Sequence, residues 1–212
     1  MVCYQQLVLA TGASALTPPL PEAALAISQP INDLADYRQF LLDCEAKQHI
    51  CILGAGLVGI EYANDLASAG YQISVVALEQ QPLAQLMPAA LGEQLTFALQ
   101  QLGVTFYWGS PIAQAHSTDG QCELTLADGR RFTTERILSA IGLRPNTSLA
   151  KKAGLDCGKG VQVDQYLQSS AADIYAIGDG AAHHRLRLAQ LAGGSGKRAG
   201  FGGRQQDPQL FQ

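Results

Sequence analysis

The sequence predicts an α/β fold that combines a parallel sheet with a β-meander. Apolar runs at Ile50–Leu53 and Ile73–Ala77 have the character of strands, and they flank a helix predicted over Leu57–Ala69. Two strands joined through such a helix are parallel, with a right-handed crossover. A second observation is the turn signal Ala127-Asp128-Gly129, which lies between two strand-like segments and predicts an antiparallel hairpin.

The other elements follow from apolar spacing and from residues that break regular structure. A helix is predicted after a cap at Asn32 or Asp33. The apolar residues at helical spacing in it are Leu34, Tyr37, Leu41 and Cys44. Residues 13–30 contain Pro18, Pro19, Pro21 and Pro30 and are predicted to be an extended linker. Further helices are predicted at Ala89–Leu102 and Thr147–Ala153, and further strands at 7–12, Val104–Trp108, Gln121–Leu126, Arg130–Thr134, Arg136–Ile141, Val161–Val163 and Ile174–Ile177.

The composition is that of a globular protein of one or two domains. A length of 212 residues allows a sizeable core, and 47% hydrophobic residues lie in the usual range. Charged residues make up 15%, against about 25% in typical soluble proteins. Either some of the surface is covered by a cofactor, a partner or further chain, or the protein is simply rich in Ala, Gln and Leu.

Charge and cysteine content exclude several classes of protein. A net charge of −4 provides no basic excess for nucleic acid. The sequence has no apolar run long enough for a membrane span, and its N-terminus does not resemble a secretory signal. The five cysteines are scattered, without the spacing of a metal knuckle or a local redox pair. They predict a reduced, cytoplasmic protein without a metal site.

Residues 183–212 differ from the rest of the chain. They are rich in glycine and arginine and have no apolar period, so this segment is predicted to be a disordered or aberrant tail. A Gly/Arg segment can bind RNA, but only Phe201 and Phe211 supply aromatic surface here, and no nucleic-acid partner is predicted.

The segment Gly54-Ala55-Gly56-Leu57-Val58-Gly59 connects the first of the two parallel strands to its helix. Gly54 permits the tight turn, Gly56 lets the backbone approach a pyrophosphate, and Gly59 lets the helix pack close to the strand. The first backbone amides of the helix, at Leu57 and Val58, then face the phosphates. The strand–turn–helix–strand context predicts a dinucleotide site, and the alternative is a tight turn without a ligand.

The second strand indicates which dinucleotide is bound. An acidic residue is expected where that strand ends, to bind the ribose hydroxyls, but the strand ends at Ala77. Glu79 follows two residues later and is the candidate ribose ligand; otherwise it is a solvated loop carboxylate. Arg and Lys are absent between Val75 and Pro88, where a 2′-phosphate would need one, so NADH is favoured over NADPH.

Three further signatures accompany the glycine turn. They are Leu7-Val8-Leu9-Ala10-Thr11-Gly12, Ser139-Ala140-Ile141-Gly142-Leu143-Arg144-Pro145-Asn146 and Ile174-Tyr175-Ala176-Ile177-Gly178-Asp179-Gly180-Ala181. In this order around the turn, they resemble the FAD-dependent pyridine nucleotide-disulfide oxidoreductase family. The segments Asn32–Tyr37 and Glu61–Gln72 are most similar to the rubredoxin–NAD reductases within it.

The resemblance implies a Rossmann-like NAD(H)-binding domain, residues 29–145, inserted in a partial FAD-binding domain. The pieces of the FAD-binding domain would be residues 1–28 and 146–182. The family's first FAD fingerprint and its C-terminal domain do not appear in this sequence. We therefore expect a product truncated at both ends, with a tail that is natural or the result of a frameshift.

The resemblance also implies roles for single residues. Ala10, Thr11 and Gly12 would lie near the flavin dinucleotide. Gly178 and Asp179 would approach the ribityl chain of FAD, where a carboxylate accepts a hydroxyl proton strongly. Glu61 would approach the nicotinamide as the catalytic carboxylate, and Gly142 would let the backbone pass close to that ring. The alternatives are a capping role for Asp179 and an exposed helix carboxylate for Glu61.

The function implied is a FAD-dependent NADH oxidoreductase. It would pass a hydride from NADH to the flavin and electrons on to a small redox protein such as rubredoxin or a ferredoxin-like protein. The alternative is a non-catalytic NADH-binding fragment that has lost FAD binding.

Overall fold

The structure is a computed structural model that describes residues 3–45 and 48–183. Its helices are α1 (Glu22–Ala26), α2 (Leu34–Cys44), α3 (Leu57–Ser68), α4 (Ala89–Gln101) and α5 (Ser148–Lys152), and a 3₁₀ turn covers Gly178–Gly180. Its strands are β1 (Leu7–Leu9), β2 (Ala13–Ala15), β3 (Ser28–Pro30), β4 (His49–Leu53), β5 (Gln72–Ala77), β6 (Thr105–Trp108), β7 (Ile112–Thr118), β8 (Gln121–Leu126), β9 (Arg131–Thr134), β10 (Arg136–Ser139), β11 (Leu143–Pro145), β12 (Val161–Val163), β13 (Ile174–Ala176) and β14 (Ala181–His183).

The largest sheet has five parallel strands in the order β3-β10-β4-β5-β6. Helices α2, α3 and α4 supply the buried side chains that pack on one face, among them Phe40, Ile60 and Leu99. The opposite face packs on α1 and on the antiparallel meander β7-β8-β9, with Leu124 and Leu126 fully buried. Since both faces are covered, the central strands β4 and β5 are buried after their first residue and are largely apolar, and the predicted α/β fold with a meander is confirmed.

Three smaller two-stranded sheets complete the structure. β1 pairs with β13 and β12 with β14, both in parallel, and β2 pairs with β11 in antiparallel orientation. A separate cluster of buried side chains, including Leu9, Leu155 and Val161, packs between β1, α5, β12 and β13. Every residue of this third cluster lies within 1–28 or 146–182. The division into domains at these boundaries remains a prediction.

The prediction of an extended linker over residues 13–30 is wrong. This segment contains β2, α1 and β3, because each has a partner elsewhere in the chain: β2 on β11, α1 on the meander and β3 on β10. Its prolines fit these elements. Pro21 occupies the cap position of α1, and Pro30 lies in an edge strand, where a missing N–H is tolerated.

Other differences are local. The helix α2 is confirmed, with Asp33 as its cap accepting a hydrogen bond from the Asp36 amide at 2.9 Å, but Leu34, Tyr37 and Leu41 are exposed and Phe40 and Cys44 are buried. The strands β7, β11 and β14 were not predicted; β7 is mostly exposed and has no apolar run. His183 ends β14, so the predicted tail does not begin there. The rest of that segment, 184–212, lies outside the described residues.

Of the helices in the described part, none is long and apolar enough to cross a membrane.

Candidate functional site

A cavity of about 510 Å³ opens at the carboxyl ends of β4, β5 and β10. Ligands of open parallel sheets bind at this edge. The glycine turn, the loop after β5 and the loop after β10 form much of its wall, and two segments that carry prolines close the rest. The wall residues are Pro18, Pro19, Leu20, Leu53, Gly54, Ala55, Gly56, Leu57, Val76, Ala77, Leu78, Glu79, Leu83, Ala84, Gln85, Leu86, Pro111, Ile112, Ala140, Ile141 and Gly142.

Two glycines of the turn are required by the fold itself. Gly54 has φ +99°, and a Cβ there would lie 2.6 Å from the carbonyl oxygen of Ala140. A Cβ on Gly59 would overlap the carbonyl oxygen of Gly54. Both residues are therefore glycine because α3 and the loop after β10 pack directly against the turn, which agrees with the predicted reasons for Gly54 and Gly59.

Gly56 differs from these two. Its φ is −75° and its ψ −176°, a conformation open to any residue, and a Cβ there would meet no atom within 4 Å. Of the glycines in the described part of the chain, Gly56 alone combines an ordinary φ with empty space at its Cβ position. The protein itself gives no steric reason for glycine, so the absent side chain leaves room on the cavity wall for a ligand.

The start of α3 supplies donors at the same place. Gly56 caps the helix, and the first amides after it have no partner within the helix. The side chains of Leu57 and Val58 are 62% and 51% exposed, so solvent or a ligand can reach this end of the helix. An anionic group is favoured there by the helix dipole.

Both β5 and the loop between β5 and α4 are tied to the glycine turn. The Leu83 amide donates to the Ala55 carbonyl at 2.9 Å, and the Gly54 amide donates to the Val76 carbonyl at 2.8 Å. Glu79 lies in this loop, exposed, and is the single ionisable side chain among the described residues of the wall. Ala77, at the end of β5, is buried and offers no polar side chain.

The structure brings some of the predicted residues together and leaves others apart. Gly54, Gly56, Leu57, Glu79 and Gly142 share the cavity wall. Val58 and Gly59 belong to α3 behind the turn, outside the wall. Glu61 is exposed on α3, also outside the wall, so its predicted approach to the nicotinamide stays a prediction. The wall residues Pro18, Pro111 and Leu83 were not predicted, because their place depends on distant strands.

A second group of predicted residues lies at the carboxyl ends of β1 and β13. The Ile177 amide donates to the Leu9 carbonyl at 3.0 Å, which aligns the turns that follow the two strands. A Cβ on Gly180 would lie 3.0 Å from the Thr11 hydroxyl, so the 3₁₀ turn packs directly on Thr11 and Gly12. The structure thus unites Ala10–Gly12 with Gly178–Gly180, as a group separate from the cavity wall.

This second group is open. Gly12 and Gly178 have φ of +62° and +66°, and a Cβ at either would meet no atom within 4 Å. Ala10 and Asp179 are exposed. Each of the two turns therefore has a glycine with positive φ and open space beside it, and the second turn also carries the Asp179 carboxylate. A ligand with hydroxyl groups has room to approach the backbone there.

Neither group includes a cysteine among its described residues. Burial raises the pKa of the Cys51 thiol and of the Cys122 thiol, so neither is poised as a thiolate nucleophile. Within the part of the chain that the structure describes, no cluster of three or more His, Cys, Asp or Glu side chains is arranged to hold a metal ion.

The parallel sheet, its crossover helices and the glycine turn at its carboxyl edge are the features of the dinucleotide-binding α/β folds. The chain belongs to the pyridine nucleotide-disulphide oxidoreductase family, whose sequence profile matches residues 1–196. The resemblance inferred from the sequence signatures is thereby confirmed.

Known proteins similar to this chain include two curated reductases. The rubredoxin-NAD(+) reductase of Alcanivorax borkumensis is 45% identical over 83% of this chain and 46% of its own length. The nitric oxide reductase FlRd-NAD(+) reductase of Aeromonas salmonicida is 41% identical over 83% of this chain and 45% of its own length. The chain therefore spans about half the length of the curated relatives it matches.

The fold is also that of a solved structure. The ferredoxin reductase from Rhodopseudomonas palustris superimposes with a TM-score of 0.81 and 27% identity, over 87% of this chain and 46% of that one. The predicted Rossmann-like fold class is confirmed.

Proposed function

We propose that this chain carries the NADH-binding site of a FAD-dependent oxidoreductase. Such a protein passes a hydride from NADH to the flavin, and electrons on to a small redox protein such as rubredoxin or a ferredoxin-like protein. The proposal draws on family membership and on relatives whose names specify rubredoxin, FlRd and ferredoxin reductases. Because the chain spans about half of those relatives, the complete activity and its partner are inferred.

The observation that carries the proposal is the position of Gly56. Its backbone would accept a side chain, its Cβ position is empty, and it stands on the wall of the cavity at the carboxyl edge of the sheet. A pyrophosphate that lies against the turn accounts for a glycine at this point, with the amides of Leu57 and Val58 as donors.

NADH is the proposed dinucleotide rather than NADPH. Glu79 is the single ionisable group on the described wall, and a carboxylate there accepts ribose hydroxyls and repels a 2′-phosphate. The largely apolar wall, with Leu78, Leu83 and Leu86 in the loop after β5, suits the flat face of a nucleobase.

FAD fits the open group at β1 and β13. Ala10–Gly12 and Gly178 would allow close approach of the dinucleotide to the backbone, and Asp179 would accept hydroxyl protons from its ribityl chain. Bound flavin would supply the chemistry of accepting a hydride and releasing single electrons. Gly142 and Glu61 are proposed to border the nicotinamide, where they would orient the ring and restrict water.

We also propose a division into two domains and a cellular compartment for this protein. Residues 29–145 form the NADH-binding domain, inserted in a FAD-binding domain to which residues 1–28 and 146–182 belong. The third cluster of buried side chains draws only on the latter two segments, which supports this division. The free cysteines of the described residues suit a reducing compartment, and we propose the cytoplasm.

A second candidate is an NADH-binding unit that does not retain FAD. It is favoured by one observation: the cavity wall contains none of the residues proposed to hold the flavin, so NADH binding does not depend on them. The two candidates predict different spectra for the purified chain.

The experiment is a visible absorption spectrum after incubation with FAD and desalting, followed by anaerobic addition of NADH. A retained flavin band that bleaches with NADH is expected for the oxidoreductase. A colourless protein that still binds NADH would establish the second candidate, and a protein that binds neither would overturn both.

A further inference from the structure

Two strands connect the cavity with the proposed flavin group. β2 begins directly after Gly12, and β11 begins directly after Gly142. They pair in antiparallel register, with Leu143 opposite Ala15 and Pro145 opposite Ala13. Each end of the ladder is closed by a backbone hydrogen bond, from Leu16 to the Gly142 carbonyl at 3.1 Å and from Asn146 to the Gly12 carbonyl at 2.9 Å. The ladder therefore sets the distance between the two groups.

Asn146 holds the end of this ladder that faces the flavin group. Its side-chain amide donates to the Thr11 carbonyl at 3.0 Å, and its side-chain oxygen accepts from the Ser14 hydroxyl at 2.9 Å. Its backbone carbonyl accepts from the Thr11 hydroxyl at 2.8 Å, across 135 positions of sequence. Its backbone N–H donates to the Gly12 carbonyl, as described above, so every polar group of Asn146 forms a hydrogen bond with residues 11–14.

An amide side chain of this length suits the arrangement, because one atom donates to the Thr11 carbonyl and the other accepts from the Ser14 hydroxyl. An aspartate would keep the acceptor for Ser14 and lose the donor to Thr11, and an alanine would lose both. The requirement comes from the tertiary contact, since Asn146 begins neither a helix nor a tight turn of its own.

The contact continues from Thr11 and Gly12 to the 3₁₀ turn. Gly180 lies so close that its Cβ would stand 3.0 Å from the Thr11 hydroxyl and 3.5 Å from the Gly12 amide nitrogen. A shift of Thr11 and Gly12 would therefore move against the Gly178–Gly180 turn, which carries Asp179. Asn146, Thr11, Gly12 and Gly180 form one continuous set of contacts.

We propose that Asn146 is a positioning residue that holds Thr11–Gly12, and through them the Gly178–Gly180 turn, at a fixed spacing from the cavity. The inference rests on the proposed function, in which these two groups bind the two reacting cofactors. Reaction between two bound molecules depends steeply on their separation, and a misplacement of about 1 Å can cost about a hundredfold in rate.

The test is hydrogen exchange, measured by mass spectrometry on the full chain without cofactors. Asn146→Ala is expected to speed exchange about tenfold in segments 7–16 and 174–182, the effect of one to two net hydrogen bonds. Exchange in segment 49–60, the strand and turn of the cavity, should stay within about twofold. Ser14→Ala, which removes one exposed bond of the set, is the matched control with a smaller effect.

Unchanged exchange in segments 7–16 and 174–182 would overturn the proposal. An equal increase in all three segments would also overturn it, because Asn146 would then act on overall stability. If Asn146→Ala does not fold, Asn146→Asp decides in the same way, since it keeps the acceptor for Ser14 but replaces the donor to Thr11 by a carboxylate oxygen that repels the Thr11 carbonyl.

Cofactor affinity is a second readout, because a general loss of stability would weaken FAD and NADH binding equally, whereas a positioning role would weaken FAD binding alone. Dissociation constants for FAD and NADH are measured apart, by flavin absorbance and by energy transfer from Trp108, the single tryptophan of the chain. Asn146→Ala is expected to weaken FAD about tenfold and to leave NADH within about twofold; equal losses would contradict the proposal. A wild-type chain that takes up no FAD would count against the proposed function, while the exchange comparison would still decide the role of Asn146.

Discussion

The two candidate cofactor regions differ in how much of their surroundings the described residues provide. The NADH region lies on a five-stranded sheet that is covered on both faces, and three loops with two proline-bearing segments enclose its cavity. The flavin region lies on pairs of short strands around a small core, with Val8, Ile177 and Asp179 exposed. An enclosed site can bind with its own residues, whereas an open one relies on further surface. NADH affinity and FAD affinity should therefore respond to different changes.

The largest expected effect is the destabilisation of the NADH region by the substitution Gly59→Ala. A Cβ at Gly59 would overlap the Gly54 carbonyl oxygen, so Gly59→Ala must push α3 away from the turn. We expect it to lower the free energy of unfolding by about 3 kcal/mol. Urea denaturation measures the change, and Gly178→Ala is the counterpart in the flavin region: its Cβ position is empty, so only the strain of φ +66° remains, about 1 kcal/mol. Equal losses for the two variants would contradict the comparison.

A second change destabilises the NADH region from its opposite edge. Arg136, at the start of β10, forms an ion pair with Asp43 of α2, and burial lowers the pKa of the Arg136 guanidinium. Removing Asp43 leaves a partly buried cation without this partner, so Asp43→Ala should cost about 2 kcal/mol in thermal or urea unfolding. The exposed Glu45→Ala is the control, with an expected change within about 0.5 kcal/mol. Similar values for the two variants would show that the ion pair does not hold α2.

A change on the cavity rim should alter selectivity without altering stability. Glu79→Gln removes the carboxylate that we propose to repel a 2′-phosphate and keeps its size. The ratio of NADPH to NADH dissociation constants is expected to fall about three- to tenfold, with unfolding unchanged because the side chain is exposed. An unchanged ratio would exclude Glu79 as the discriminating group, and Glu93→Gln on α4 is a matched exposed control.

The smallest expected effect concerns pH. Burial lowers the pKa of half-buried His49 below 6.5, although nearby Glu135 partly opposes this shift. The imidazole shares a hydrogen bond of 2.9 Å with Ser74. The folded state binds the proton less readily than the unfolded state. The contribution of neutral His49 to the free energy of unfolding is therefore fully present above pH 6.5 and is lost as pH falls through the folded pKa. His49→Gln should flatten the dependence of the melting temperature on pH below 6.5; an unchanged slope would assign that dependence to other groups.

The parts of the fold that sequence predicts are those whose signal is local. The strands around the glycine turn, α3 and the hairpin at Asp128-Gly129 each carry their own apolar run or turn residue. β3 and β7 carry none: β3 is a strand because β10 lies beside it, and β7 because β8 pairs with it. Prolines that suggested a linker are accommodated at a helix start and a sheet edge.

The residues of the candidate site also fall into those that local sequence spacing predicts and those that only tertiary packing places there. The turn glycines and the carboxylate at Glu79 could be read from spacing along one βαβ unit. Pro18, Pro111 and Leu83 reach the cavity wall only through tertiary packing, and the contacts of Asn146 span more than a hundred positions. Sequence could assign a reason to each glycine of the motif, but it could not identify the neighbouring groups. These are the Ala140 carbonyl beside Gly54 and the Gly54 carbonyl beside Gly59, whereas no atom lies near the Cβ position of Gly56.

Gly56, as proposed, is glycine because a bound dinucleotide occupies the space of its side chain. The most direct measurement is the NADH dissociation constant of Gly56→Val, by energy transfer from Trp108, together with its melting temperature and with Gly56→Ala as an intermediate variant. We expect affinity to fall at least about tenfold for valine and less for alanine, while the melting temperature stays within about 2 °C, because the backbone accepts a side chain at φ −75°. Unchanged NADH affinity with an unchanged melting temperature would contradict the account.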